Sequence, residues 1–146
     1  MNLNKLARKI LKENIYLSLS TCTQNRPWIA PLFYHLGAGN ELYFASQPTS
    51  IHGAHIAKNP RVAFAIFDSH QREGTGVVIQ ASGIAKRLEN RNEILEAMKY
   101  YHTDFFKVTP AKFMGKSKYR LFKITPSTFY LNDPRVKVDR RVEVVL

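Results

Sequence analysis

The chain has 146 residues, 45% of them hydrophobic and 23% charged, which suits one folded domain spanning 1–146 with a sizeable core. No apolar run reaches the roughly 18 residues of a membrane span, no signal-peptide core opens the chain, and a cytoplasmic location is the default expectation. A single cysteine, Cys22, excludes an internal disulfide and any multi-cysteine metal site, while the formal net charge of +11 attracts anions of any kind, from phosphate cofactors to nucleic acid.

Leu3, Leu6, Ala7, Ile10 and Leu11 repeat at helical spacing with Lys5, Arg8, Lys9 and Lys12 between them, which predicts an amphipathic helix over about 3–13. From Ile15 the period changes to two, with Ile15, Leu17 and Leu19 on one side of a strand and Tyr16, Ser18 and Ser20 on the other. Residues 23–27 (T-Q-N-R-P) read as a turn into a strand from Trp28 to Leu36, and Gly37–Asn40 leads to a strand from Glu41 to Ala45.

Pro48 stops that strand, and Thr49 or Ser50 offers a hydroxyl to cap a short helix that Asn59-Pro60 ends. A hydroxyl-capped helix start presents free N–H groups and a partial positive charge, which suits a phosphate. Strands follow at Val62–Asp68 and Gly76–Lys86. Asn90 with Glu93 reads as the start of a helix over about 90–106, whose apolar face carries Ile94, Met98, Tyr101 and Phe105. The remaining strands are expected at Tyr119–Ile124, Thr128–Leu131 and Val136–Val145. Consecutive strands with short connections favour an antiparallel sheet that closes on itself, α+β by class.

No phosphate-loop, dinucleotide or nucleophile-elbow motif is present, no pair of carboxylates stands out, and His52 with His55 lacks a third ligand for zinc, so no metal site is expected. Lys107, Lys112, Lys116, Lys118, Arg120 and Lys123 form a basic run broken by no acid. The aromatic residues alternate in strands rather than interleave with that run, so a nucleic-acid-binding module ranks low and no sequence-specific binding is expected. What remains is a site for a planar, phosphate-bearing ligand: a helix start for the phosphate, strand backbone and aromatic side chains for rings.

The order N-R-P-W-I-A-P-L-F-Y, then L-Y-F-A-S…S-I-H…I-A-K-N-P, then V-I-Q-A-S-G-I-A resembles the pyridoxamine 5′-phosphate oxidase-like flavoproteins over about 15–131. The resemblance implies an antiparallel split β-barrel of about six to seven strands with two to three flanking helices. It also implies a homodimer with FMN at the subunit interface and an oxidoreductase of unknown substrate. Pro31, Leu32 and Phe33 would then lie against the flavin ring, Ala45, Ser46, Ser50 and His52 around the ribityl phosphate, and Gln80 near the cofactor.

The pattern also departs from that of the vitamin oxidases. Ala30 stands where they have Arg, Ile51-His52 where they have Arg-Lys, and His35 near their strand-two Lys, and their C-terminal Trp and Arg signature is missing. Pyridoxamine phosphate oxidation is therefore not expected. Haem, a deazaflavin or no ligand at all are the alternatives to FMN. If His52 replaces the Lys, it would assist a phosphate only when protonated, and affinity would fall towards about pH 8.5.

Overall fold

The computed structural model describes residues 1–146. Helix α1 (Leu3–Glu13) starts at Asn2, whose side chain accepts the Lys5 N–H at 3.1 Å, and it buries Ala7 and Leu11 against the sheet. The hairpin β1 (Tyr16–Thr23) and β2 (Arg26–Phe33) turns through Gln24 and Asn25, both left-handed at φ 51° and 58°. A two-residue turn with both φ positive matches the right-handed twist of the strands it joins. Leu17 and Leu19 face the core as expected, while Ile15 precedes the strand and is exposed.

The strand expected from Trp28 to Leu36 is broken. Tyr34 turns inward, its N–H donating to the Ile15 carbonyl at 3.0 Å and its hydroxyl to the Leu11 carbonyl at 2.7 Å. Beyond it, β3 (His35–Leu36) pairs with β4 (Leu42–Ser46), which leads into α2 (Ile51–Lys58), β5 (Arg61–Phe67) and β6 (Val78–Arg87). Next come α3 (Arg91–Met98), a 3-10 turn at Pro110–Phe113, β7 (Arg120–Asn132) and β8 (Arg141–Val144).

The sheet order is β2-β1-β5-β6-β7-β4-β3, and β8 also pairs with β7. The two ends of that order, β2 and β3, are separated in the chain by Tyr34 alone, so the sheet curls back on itself as an antiparallel split barrel. The fold is α+β as expected, with three helices and eight strands. The barrel core holds Leu17, Leu19, Phe64, Ile66, Ile79, Ile124 and Leu131, with Phe44 stacked on Phe122 at 5.0 Å. A second cluster of Tyr43, Leu88, Ile94, Ala97, Phe113 and Leu121 seats α3 and the 3-10 turn on the other side of β4 and β7.

Three further elements differ from their sequence reading. The helix expected to reach 106 stops at Met98, where the bonds tighten to Lys99 N–H to Glu96 O and Tyr100 N–H to Ala97 O. Tyr100 then stacks on Tyr43 and Tyr101 packs edge-on against Phe113, whereas Phe105 is 94% exposed. The two strands expected between Tyr119 and Leu131 are one, β7, which carries Pro126 opposite Gly83 at a bulge. The last strand is confined to Arg141–Val144, because Asp133 and Arg135 close a turn first and Val138 stands in solvent.

Candidate functional site

Ser50 provides the α2 cap. Its Oγ accepts the Gly53 N–H at 3.1 Å and donates its own proton to the Gln47 carbonyl at 2.7 Å. Gly53 must be glycine for this turn to close, since a Cβ there would lie 2.8 Å from the Pro48 oxygen and 2.9 Å from Ser50 Oγ.

His52 Nε2 sits 2.6 Å from Ser46 Oγ and 3.2 Å from Ser50 Oγ. Because the one Ser50 proton is committed to Gln47, the histidine proton must sit on Nε2 for the Ser50 contact to form. His52 therefore donates and the serine oxygens accept, which leaves the Ser46 hydroxyl proton free. Burial, and then neighbouring His55, lowers the His52 pKa, so the ring is neutral at neutral pH. In this environment the ring is a neutral donor that orients Ser46. His55 engages Thr21 at 2.9 Å, away from His52.

Ala45, Ser46 and Ser50 line a hollow of about 480 Å3 together with Gln47, Thr49 and Tyr119. Its polar groups are hydroxyls and amide, and it contains no acid. Thr49 is free to line it because Ser50 makes the cap. Tyr119 arrives through the pairing of β7 with β4, Arg120 opposite Ser46, a long-range contact with no local signal. Arg120 itself donates to the backbone oxygens of Ser117, Tyr119 and Gly115 and so fixes the rim. The arrangement can hold an oxyanion through hydroxyl donors and the first-turn amides of α2.

The other expected site residues lie elsewhere. The register places Pro31, Ser18, Ala65, Gln80 and Tyr130 in one row across β2, β1, β5, β6 and β7. Pro31 and Gln80 are exposed on this outer face, three strands or roughly 14 Å apart. Gln80 Oε1 accepts from Arg141 Nε at 2.7 Å. Leu32 points the other way and packs against the core. Phe33 meets Tyr16 edge-on at 5.3 Å and lines a different hollow, before β4 rather than after it. The next row, Ile29, Ser20, Ala63, Ser82 and Thr128, is also free of charge. Ala30, where an oxidase would carry Arg, is buried opposite Leu19.

A family model described as pyridoxamine 5′-phosphate oxidase matches residues 3–133. The chain belongs to that family. No curated protein matches it in sequence. Among solved structures, it resembles General Stress Protein 26 from Bacillus anthracis at 21% identity and a TM-score of 0.69, covering 99% of this chain and 100% of that one. A heme binding protein from Mycobacterium smegmatis matches at 17% identity and a TM-score of 0.73, over 99% of this chain but 58% of that one. A FAD-binding protein from Mesorhizobium loti matches at 20% identity and a TM-score of 0.67, covering 86% and 90% of the two chains. At these identities the likeness is one of fold. No helix is long and apolar enough to cross a membrane.

Proposed function

We propose that the protein is an FMN-binding oxidoreductase that works as a homodimer. The 5′-phosphate enters the Ser46–Ser50 hollow and the flavin ring lies against β2 near Pro31 and Phe33, with Gln80 close to the cofactor. The observation that carries this reading is the group of hydroxyls aligned by His52 at the start of α2, in a hollow with no acid. Family membership and a FAD-binding neighbour of the same fold support it. FMN itself would supply the hydride or electron chemistry, while the protein binds, orients and shields it.

The outer sheet face supports the dimer: between β2 and β7 two rows carry no charge, exposed Ile29, Phe33, Tyr16 and Tyr130 stand along and beside them, and Glu143 on β8 bounds them opposite Tyr130, on a chain of net charge +11. A second copy would cover these rows and bring Pro31 and Gln80 of one chain towards the phosphate hollow of the other.

Purified protein should be yellow, or take up FMN with quenching of flavin fluorescence. The double variant Ser46→Ala/Ser50→Ala should weaken FMN by about tenfold or more while the flavin-ring analogue lumiflavin, which has no phosphate, is unaffected. A brown protein with a haem absorption band, or equal FMN binding by wild type and double variant, would reject the reading.

A further inference from the structure

A larger hollow, of about 810 Å3, opens at the other end of β4, between the last turns of α1, the β3–β4 hairpin and the residues after α3. Its volume is that of a small-molecule site rather than a packing defect. Arg8 and Lys12 line it from one face of α1, four residues apart, and no Asp or Glu is in its wall. Neither cation is within ion-pair distance of any carboxylate, the Leu146 terminus included. The nearby acid Glu41 packs against Gly37 and Gly39, outside the wall.

His35 completes the pattern. It is 6% exposed, lines this hollow, and neither ring nitrogen is hydrogen-bonded by a protein group. Its ring is surrounded instead by Phe33 at 5.2 Å, Tyr101 at 4.8 Å and His102 at 4.7 Å. The ring nitrogens therefore stay open to the contents of the hollow, whereas the fully buried side-chain atom without a partner is Glu41 Oε2, behind Gly37 and Gly39. Burial, with His102 adding to it, lowers the His35 pKa to about 4, so the ring offers one N–H and one lone pair rather than a charge.

We propose that this hollow binds a small organic anion with a flat, apolar body, its carboxylate held by Arg8 and Lys12 and a hydroxyl on its ring hydrogen-bonded by His35. Phe33, Tyr34 and Tyr100 give the walls their aromatic character and favour a planar body over an aliphatic chain. The Tyr34 hydroxyl already donates to the Leu11 carbonyl, so polar recognition falls to His35 and the two cations. The site uses none of the residues of the Ser46–Ser50 hollow, and Phe33 alone is common to it and the flavin proposal.

Calorimetric titration of the full chain with hydroxynaphthoate tests this, with naphthoate and hydroxynaphthamide as the probes that lack the hydroxyl and the charge. Saturable one-to-one binding of hydroxynaphthoate is expected, weakened by about tenfold for the amide and for Arg8→Gln/Lys12→Gln. Both substituted positions are exposed, so the fold is retained. His35→Phe keeps the aromatic packing and should remove the preference for hydroxynaphthoate over naphthoate while leaving naphthoate binding in place. Ser46→Ala/Ser50→Ala should bind hydroxynaphthoate as wild type does, which separates this site from the flavin proposal. No saturable binding, equal affinity for acid and amide, or an Arg8/Lys12 double variant as tight as wild type would each overturn the proposal.

Discussion

At the residue scale the two buried histidines, His35 and His52, behave alike: each is neutral because burial disfavours its charged form. For His35 the folded pKa is about 4 against 6.5 unperturbed. Between those values the unfolded chain holds a proton that the folded chain does not, so stability falls as pH is lowered through that window. His102 and Tyr101 face the ring, and Tyr101, whose own pKa is raised by burial, stays neutral throughout. At most about 3 kcal/mol would be lost on this account. His35→Phe should therefore flatten the fall of Tm between about pH 6.5 and about pH 4, measured by thermal melts. An acid limb as steep as that of wild type would mean that the ring is solvated. At His52 the same burial changes the expectation for FMN. A neutral ring adds no pH dependence above neutrality, so affinity should be nearly flat from about pH 7 to about pH 8.5. The capping Ser50 was legible in sequence because its partners lie within three residues. The neutrality of His52 was not, because it depends on β4 and the body of the barrel closing over the ring.

At the scale of elements, local signals placed what local forces determine. The apolar stripe of α1, the Gln24-Asn25 turn and the Asn59-Pro60 stop of α2 all stand where the sequence put them, since each rests on side-chain periodicity or backbone preference nearby. The helix stops at Met98 although Tyr101 and Phe105 fit the helical period, because Tyr100 and Tyr101 gain more from Tyr43 and Phe113. The gap expected between two strands at 125–127 is instead a bulge in β7, where Ser127 is the extra residue beside Pro126 and opposite β6. Gly83 makes this possible: a Cβ there would lie 2.5 Å from the Thr125 carbonyl oxygen and 2.9 Å from the Pro126 Cα. Gly83→Ala must push β7 away from β6 and should cost about 1–3 kcal/mol, read as a lower urea midpoint with an unchanged slope. Gly74→Ala meets no neighbour within 4 Å and serves as the control for added bulk, though its φ of 77° brings backbone strain of its own. A midpoint for Gly83→Ala at or above that of wild type would show that the bulge has room to relax.

At the scale of the molecule, the distribution of charge argues for how a second copy docks. Strand β2 lies at one end of the sheet order, and a free edge invites pairing with another chain. It carries Pro27 and Pro31, which have no N–H to donate, so continuous edge-to-edge pairing is blocked. The outer face has no such obstacle: Ser, Ala and Thr side chains keep its two central rows low, and Ile29, Phe33, Tyr16 and Tyr130 stand exposed around them. The net charge of +11 is carried outside these rows, so approach through the more basic parts of the surface is disfavoured. Docking through the uncharged rows is thus the arrangement that both buries apolar area and keeps like charges apart. Ile29 is 63% exposed and tests this directly, because a lysine there should not disturb the folded chain. Light scattering on a sizing column should give wild type at about twice the 16.8 kDa chain mass, and Ile29→Lys near the chain mass itself. The same variant should bind FMN at least about tenfold more weakly, since it would bring two like charges into the interface and separate the halves of the shared site. If Ile29→Lys stays dimeric with unchanged FMN affinity, the outer face is not the interface. A monomer that still binds FMN as wild type does would instead place the whole flavin site within one chain.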